Sequence, residues 1–189
     1  MKKYLMFLLV LFSFVLASCN NKSTIDGGAG SRQQSKQYSY EGKNVYFAAP
    51  LFSEAEREYN LKIVHILEKY DYKDFLPQRD GYLAPELKGK TEQEVKTMIF
   101  NKDYEEVKKA DIVFVLLDGR APDEGACVEL GIAYESGKRC YGFKSDARSV
   151  ELNMDLNPMI SECFIHLFYN LDGDALINDL EDYLSKNKL

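Results

Sequence analysis

The sequence predicts an α/β domain built on a parallel sheet. Short apolar runs alternate along the chain with longer segments of helical periodicity, which is the pattern of repeated β-α-β units. The run at 111–118 is apolar throughout its interior and has turn signals on both sides, as expected for a strand buried on both faces. The strand count fits a flavodoxin-like (Rossmann-like) three-layer sandwich with a five-stranded sheet of order 2-1-3-4-5. In that order, ligands bind at the carboxyl ends of strands 1 and 3.

Each predicted element has a local signal in the sequence. Thr91 and Glu94 match a capping box, in which Thr91 caps the second helix and Glu94 reaches back to it. Segments 77–90 and 145–162 are predicted to be long loops, and the first is long enough to be functional. The predicted strands are 44–49, 74–76, 111–118, 139–144 and 163–169. The predicted helices are 54–70, 91–109, 123–137 and 172–186.

Residues 1–18 are predicted to be an export signal and not part of the fold. A positive start is followed by a short apolar stretch and then by small residues, and the stretch is too short for a comfortable membrane span. Its end, Leu16-Ala17-Ser18-Cys19, resembles a bacterial lipobox, which predicts that Cys19 is lipidated. The alternative is a plain cleaved signal peptide.

Residues 19–42 are polar and rich in Gly, Ser, Gln and Asn, so we expect a flexible tether from Cys19 to a single domain at 43–189. A lipidated Cys19 would anchor the protein to a membrane without spanning it. The expected location is therefore the bacterial cell envelope, outside the cytoplasm.

Composition and motifs exclude several classes of function. The net charge is -6 and the chain has no block of Lys or Arg, which argues against a nucleic acid polymer as partner. No His or Cys pair has metal-ligand spacing, and GxGxxG and GxxxxGK[ST] are both absent, so neither a metal nor an organic cofactor is expected. Cys127, Cys140 and Cys163 are odd in number, which disfavours a disulfide framework, although a bridge between Cys140 and Cys163 stays open.

Two carboxylates follow the third strand, at the sheet edge where α/β domains bind ligands. Glu129 falls in the first two turns of the predicted helix, with the small residues Gly125 and Ala133 beside it at i-4 and i+4. A helix N-terminus favours an ionised carboxylate, so Glu129 could act as a nucleophile at neutral pH. The alternative for Asp123 and Glu129 is that acidic residues near a helix start only complement its dipole.

Three further residues could contribute to a site. Asp103 lies on the preceding helix, Tyr46 lies within the first strand, and Gln78 opens the loop after the second strand. Taken alone, each has a simpler explanation: a solvated helix face, core packing and an ordinary polar loop, respectively.

Taken together, the motifs resemble those of the nucleoside 2-deoxyribosyltransferase family over about residues 44–185. The motifs that match are Val45-Tyr46-Phe47-Ala48-Ala49-Pro50, Asn101-x-Asp103, Ala110-Asp111, Asp123-x-Gly125-x-x-x-Glu129-x-Gly131-x-Ala133 and Asn157-Pro158-Met159.

The resemblance implies a role for each matching residue. Glu129 would attack the anomeric carbon of a 2'-deoxynucleoside to form a covalent deoxyribosyl-enzyme, and Tyr46 would orient that carboxylate. Asp103 and Asp123 would contact the base and help to transfer a proton to it. Asn157 would hold the sugar 5'-hydroxyl from a neighbouring subunit, which implies a homo-oligomer with shared active sites. The other implied substrate-binding residues are Gly125, Ala49, Pro50, Gln78 and Met159.

The expected substrates are deoxynucleosides and free nucleobases, and the expected reaction is transfer of the 2-deoxyribosyl group with retention, as in retaining glycosidases. Members of the family are usually cytoplasmic, whereas this chain carries an export signal. Hydrolysis of 2'-deoxynucleosides or their 5'-monophosphates by an N-glycosidase is therefore an alternative. A non-catalytic nucleoside-binding or TIR-like module is a third reading, disfavoured by the complete set of Tyr46, Asp103, Asp123 and Glu129.

Overall fold

The computed structural model describes residues 43–82, 84–119, 121–147 and 156–189, so the expected signal, Cys19 and the tether lie outside the described residues. Within the described residues, five strands form one parallel sheet of order β2-β1-β3-β4-β5, which confirms the predicted fold class and strand order. The strands are β1 (Asn44–Ala48), β2 (Lys73–Phe75), β3 (Ile112–Leu116), β4 (Arg139–Lys144) and β5 (His166–Tyr169).

The four predicted helices are present, and three short helices lie where long loops were predicted. Pro77 and Pro158 each occupy the first turn of a short helix, a position that tolerates proline because the missing N–H has no partner there anyway. Pro77 and Pro158 therefore begin short helical turns within the segments that were predicted to be loops. The helices are α1 (Glu54–Lys69), α2 (Pro77–Asp80), α3 (Ala84–Leu87), α4 (Glu92–Lys109), α5 (Glu124–Glu135), α6 (Pro158–Ser161) and α7 (Gly173–Lys186).

Most element ends agree with the prediction to within two residues, and β5 is the exception. It begins at His166 and not at Cys163, because residues 163–165 form the turn that follows α6. Cys163 and Phe164 still pack against the core, which explains their apolar character. The predicted capping box is confirmed: Thr91 accepts a hydrogen bond from the backbone of Glu94, whose side chain accepts one from the backbone of Thr91.

The sheet separates two apolar layers, and side chains alternate between them along each strand. Val45 and Phe47 of β1 face the layer formed with α1 and α7, whereas Tyr46 and Ala48 face the layer formed with α4 and α5. β3 is buried at all five positions, as its apolar sequence predicts. This alternation turns the Tyr46 ring toward α5, the helix that carries Glu129.

Three observations concern the described residues alone. No helix among them is both long and apolar enough to cross a membrane. No disulfide joins Cys140 to Cys163 in this structure. No group of three or more His, Cys, Asp or Glu side chains in this part of the chain is arranged to hold a metal ion.

Candidate active site

Glu129 and Tyr46 meet in the interior between the sheet and α5. The Tyr46 hydroxyl donates a hydrogen bond of 2.6 Å to Oε1 of Glu129. Tyr46 is completely buried, and its ring stacks on Phe75 of the neighbouring strand with centroids 5.6 Å apart. The strand and the stacked ring hold the hydroxyl in place, so the Glu129 carboxyl has one fixed donor.

The pKa of the Glu129 carboxyl lies near neutral pH. Burial raises its pKa to about 7, the Tyr46 hydrogen bond opposes this rise, and the charges of Asp103 and Asp123 add to it. Its position near a helix N-terminus predicts that this group is ionised. Glu129 lies in the second turn of α5, however, and there burial outweighs the helix dipole, which falls off within the first turn. Burial and the neighbouring Glu129 raise the pKa of Tyr46 far above its usual range, so Tyr46 is a donor.

A second carboxyl with a raised pKa faces the same space. Asp103 of α4 is half-buried, and burial raises its pKa to about 6 against the opposing effect of the Lys102 charge. The Lys102 ammonium is directed elsewhere, because it forms a 3.1 Å ion pair with Glu106 and lies 5.0 Å from the centroid of the Phe75 ring. Two carboxyl groups with perturbed pKa values in one depression are typical of an active site.

Asp103 and Glu129 line a pocket of about 500 Å³ between α4 and α5, a size that accommodates a nucleoside. Its other walls are largely apolar, and several of them are unusually exposed: Phe100 is 60% exposed and Val128 is 58% exposed. This apolar rim was not predicted. The sequence signal that could have shown it is the spacing of Phe100 and Tyr104 at i and i+4 on one helix face. In the structure their rings stack, with centroids 5.9 Å apart. The remaining lining residues are Lys96, Ile99, Gly125 and Ile132.

Asp123 is the N-cap of α5. Its Oδ1 accepts a 2.9 Å hydrogen bond from the backbone N–H of Ala126, which is the geometry of a capping residue and goes beyond the dipole interaction that the sequence left open as the simpler explanation. Its charge also raises the pKa of Glu129. Gly125 lines the pocket one turn before Glu129, and a Cβ at this position would lie 3.1 Å from Oδ1 of Asp123.

The other predicted substrate-binding residues lie outside this pocket. Ala49 and Pro50 lead from β1 into α1, and the Pro50 carbonyl accepts a hydrogen bond from Asn60. Gln78 lies on α2 and also contacts Asn60. Asn157 caps α6 by accepting the backbone N–H of Met159, whose side chain is 83% exposed. Within one chain, the structure therefore brings Tyr46, Asp103, Gly125 and Glu129 together, with Asp123 adjacent, and leaves Asn157 and Met159 apart from them.

The fold and the pocket define the class of protein: an α/β enzyme with two carboxyl groups of raised pKa on the helices that cover one face of its parallel sheet. The sequence model of the family described as nucleoside 2-deoxyribosyltransferase matches residues 45–177, and the chain belongs to this family. Family membership identifies an enzyme of the nucleoside deoxyribosyltransferase type.

Solved structures resemble the chain over most of their length. A 2-deoxyribosyltransferase from Bacillus psychrosaccharolyticus is 28% identical with a TM-score of 0.60, and the match covers 74% of this chain and 91% of that one. A conserved protein from Enterococcus faecalis is 27% identical with a TM-score of 0.53, covering 77% and 98%. A CMP N-glycosidase from Clostridium botulinum is 16% identical with a TM-score of 0.52, covering 75% and 99%, and shows the shared fold alone. The comparison with curated proteins found no match.

Proposed function

We propose that this enzyme transfers the 2-deoxyribosyl group from one nucleobase to another through a covalent bond to Glu129. The observation that carries the proposal is the 2.6 Å hydrogen bond from Tyr46 to Glu129 at a pocket that Asp103 also lines. A binding module has no need for a buried carboxyl oriented by a buried hydroxyl. Membership of the deoxyribosyltransferase family supports the same chemistry.

In the first step, an oxygen of ionised Glu129 attacks the anomeric carbon, and the glycosidic C–N bond breaks as the new C–O bond forms. The electron pair of the broken bond goes to the base nitrogen, which receives a proton from the protonated Asp103 carboxyl. Asp123 contacts the leaving base and helps to transfer this proton. In the second step, a nitrogen of another base attacks the same carbon, Glu129 leaves, and Asp103 recovers a proton. Two displacements give net retention.

The raised pKa of Asp103, about 6, suits this role because a fraction of its carboxyl groups stays protonated near neutral pH. Tyr46 acts on the other partner: its hydrogen bond stabilises the ionised form of Glu129 and fixes the oxygen that it contacts. The bonds made and broken in these steps involve only protein side chains and the two substrates.

Hydrolysis is the second candidate, in which water replaces the second base. In the single chain, Phe100 and Val128 leave the space between α4 and α5 accessible to solvent, so water can reach the site wherever a second subunit does not cover this rim. The fold that this chain shares with a CMP N-glycosidase is compatible with that outcome. The substrate of the hydrolase would be a 2'-deoxynucleoside or its 5'-monophosphate.

One experiment separates these activities. The domain is incubated with a deoxynucleoside, with and without a second free base, and the products are followed by chromatography. Exchanged nucleoside supports transfer, whereas free base and deoxyribose alone support hydrolysis. Glu129→Ala should abolish both while the protein stays folded, and mass spectrometry of the wild type should detect a deoxyribosyl adduct on Glu129. Binding without turnover by the wild type would sink the proposal in favour of a nucleoside-binding module.

We also propose that a second copy of the chain completes the site. Phe100 and Val128 expose apolar surface at the pocket rim, and such surface is typical of an interface. Asn157 and Met159 lie apart from the pocket of their own chain, and Met159 is 83% exposed, as expected if this segment contributes to the pocket of a neighbour. Mixing inactive Glu129→Ala and Asn157→Ala proteins should restore activity by forming one intact shared site. A mixture that stays inactive although the subunits exchange would contradict this arrangement.

For the location, we propose that Cys19 carries a lipid and tethers the enzyme to a membrane of the cell envelope, where exogenous nucleosides would reach it. The lipobox-like Leu16-Ala17-Ser18-Cys19 supports this. Labelled fatty acid should enter the wild-type protein and not Cys19→Ala, which should appear in the soluble fraction. Equal labelling of both proteins would contradict the assignment.

A further inference from the structure

The ring of Phe75 contacts both Tyr46 and a lysine of α4. Phe75 pairs in register with Tyr46 on the neighbouring strand, so the two side chains leave the same face of the sheet. Their rings stack at an interplanar angle of 15°, with centroids 5.6 Å apart. Lys102 Nζ lies over the Phe75 ring, 5.0 Å from its centroid, which is within the range of a cation–π interaction. Phe75 therefore connects α4 to the residue that orients Glu129.

Strand β2 gives Phe75 little support of its own. It has three residues and lies at the edge of the described sheet, where β1 is the strand that pairs with it. Phe75 is half-buried there and packs against the layer formed with α4 and α5. Contacts from α4 must therefore supply the rest of the support for its ring.

The Lys102 ammonium is held over that ring by a second contact. It forms a 3.1 Å ion pair with Glu106, one turn further along α4, and the Glu106 side chain is only 18% exposed. Lys102 itself is 34% exposed, whereas Lys109, which pairs with the same carboxylate at 3.0 Å, is 63% exposed. A lysine usually extends its charged end into water, so the position of Lys102 requires an explanation.

The charge of Lys102 also acts directly on two nearby carboxyls. Burial raises the pKa of Asp103, and the Lys102 charge opposes that rise. For Asp80, burial raises the pKa, while hydrogen bonds from Arg79 and the charge of Lys102 lower it. Substituting Lys102 therefore has a direct effect on Asp103, which must be separated from an effect through Phe75. Besides burial, the groups that determine the pKa of Glu129 are Tyr46, Asp103 and Asp123.

We propose that Lys102 is a positioning residue, which acts through the Phe75 ring on Tyr46. By restricting that ring, it holds the Tyr46 hydroxyl against the proposed nucleophile Glu129. This inference rests on the proposed function. Lys102 directly precedes Asp103, the proposed acid, so its contact with Phe75 also fixes the helix of the acid relative to the strand that orients the nucleophile. Both carboxyls act on one glycosidic bond, and groups that do so must be held in a fixed geometry.

The test compares the substitution Lys102→Met in three proteins: the wild type, Phe75→Leu and Tyr46→Phe. Methionine keeps a long apolar side chain and removes the ammonium. NMR of the Glu129 side-chain carboxyl carbon measures its pKa, and kcat/KM is measured at pH 5. At that pH Asp103, with a pKa of about 6, is already about nine-tenths protonated, so a change in its pKa has little effect on the rate.

In the wild type, we expect Lys102→Met to raise the pKa of Glu129 by roughly 0.3–0.7 and to lower kcat/KM at pH 5 about two- to fivefold. This is the equilibrium factor of one cation–π interaction at a partly exposed site. Both effects should largely disappear in Phe75→Leu and in Tyr46→Phe, because each of these removes a part of the route to Glu129. A direct effect of the charge would persist in all three proteins.

Two further variants serve as controls. Lys102→Arg should give values close to those of the wild type, since a guanidinium also stacks on aromatic faces. Lys109→Met removes the other lysine that pairs with Glu106 and should change neither the pKa of Glu129 nor kcat/KM.

Unchanged values in Lys102→Met, or equal changes in all three proteins, would overturn the inference. A lower unfolding temperature with an unchanged pKa of Glu129 would leave Lys102 with a structural role alone and would overturn it too. If Phe75→Leu does not fold, Phe75→Met takes its place under the same criteria. A wild type without turnover would refute the proposed function, whereas the NMR measurement needs no turnover and still tests how the hydroxyl is held.

Discussion

The hydroxyl of Tyr46 should control the ionisation of Glu129, and Tyr46→Phe tests this directly. The substitution removes a 2.6 Å hydrogen bond to a carboxyl and leaves the stacked ring in place. A hydrogen bond to a charged group contributes about 1.5–3 kcal/mol, which corresponds to roughly one or two pKa units. The pKa of Glu129, about 7 in the wild type, should therefore rise, since the bond favours the ionised form.

The consequence is a loss of activity that depends on pH. At pH 7 about half of the wild-type Glu129 groups are ionised, whereas after a rise of one to two pKa units roughly 1–10% would be. The ratio of wild-type to variant kcat/KM should be roughly 5- to 50-fold at pH 7 from ionisation alone. It should approach one well above the new pKa and reach a plateau of roughly 10- to 100-fold below pH 6. The ionisation of Asp103 largely cancels in this ratio.

The assay is kcat/KM from pH 5 to pH 10, because this quantity follows the free enzyme. NMR of the Glu129 side-chain carboxyl carbon should give the same pKa values independently. Tyr72→Phe is the matched control: it removes a hydroxyl that accepts the Leu189 N–H in the other apolar layer, and its ratio should not change with pH. A constant ratio for Tyr46→Phe would refute the pKa reasoning and leave Tyr46 with orientation alone.

Three further predictions concern the same site. Glu129→Gln should raise the free energy of unfolding by up to about 3 kcal/mol at pH 8 and by little at pH 4. The pKa of the wild-type carboxyl is about 7 in the folded protein and near 4.5 in the unfolded chain, so this group destabilises the fold as pH rises between these values. Denaturant unfolding at both pH values measures the effect, and an equal effect at both would contradict the reasoning. Asp123→Asn should preserve the cap of α5, whereas Asp123→Ala should lower the free energy of unfolding by about 1 kcal/mol; chemical denaturation measures this, and equal stability of both variants would exclude the cap. The Asn variant should also lower the pKa of Glu129, because it removes a nearby negative charge, and the acid limb of the pH profile reports this change. Gly125→Ala should displace the Asp123 carboxylate, which would lie 3.1 Å from the new Cβ, and should raise KM; stability should change by less than about 1 kcal/mol, since alanine favours the helix. An unchanged KM would show that this wall of the pocket does not contact substrate. Gly131→Ala is the control, because outside its own helix backbone no atom lies within 4 Å of the new Cβ.

The sheet was predictable because its strands have strong local signals. β3 is apolar at every position, and the observed α4 begins after the predicted capping residue Thr91. The short helices α2 and α6 are not predicted by the sequence, because proline favours loops and also suits a first helical turn, where Pro77 and Pro158 lie. Each of these helices has only four residues, which is too short to show a hydrophobic periodicity in the sequence.

The sequence selects Tyr46, Asp103 and Glu129, which the structure brings together, but it does not predict their electrostatics. Strand alternation alone assigns Tyr46 to one face of β1, but the sequence does not reveal which helix covers that face. The pKa of Glu129 depends on burial in the assembled layer, so it cannot be read from helix position.

Asp123 and Glu129 belong to one short acidic segment, and the structure separates them by what compensates each charge. Asp123 accepts a backbone N–H at the start of α5, where the helix dipole also favours a negative charge. Glu129 lies deeper, and its only hydrogen bond in the described structure is the one from Tyr46. The hydrogen bond from Tyr46 offsets only part of the effect of burial, so the pKa of Glu129 is about 7. Small changes around this carboxyl therefore alter its charge near neutral pH. Because that hydroxyl is held by β1 and Phe75, the packing of the sheet tunes the charge of the proposed nucleophile.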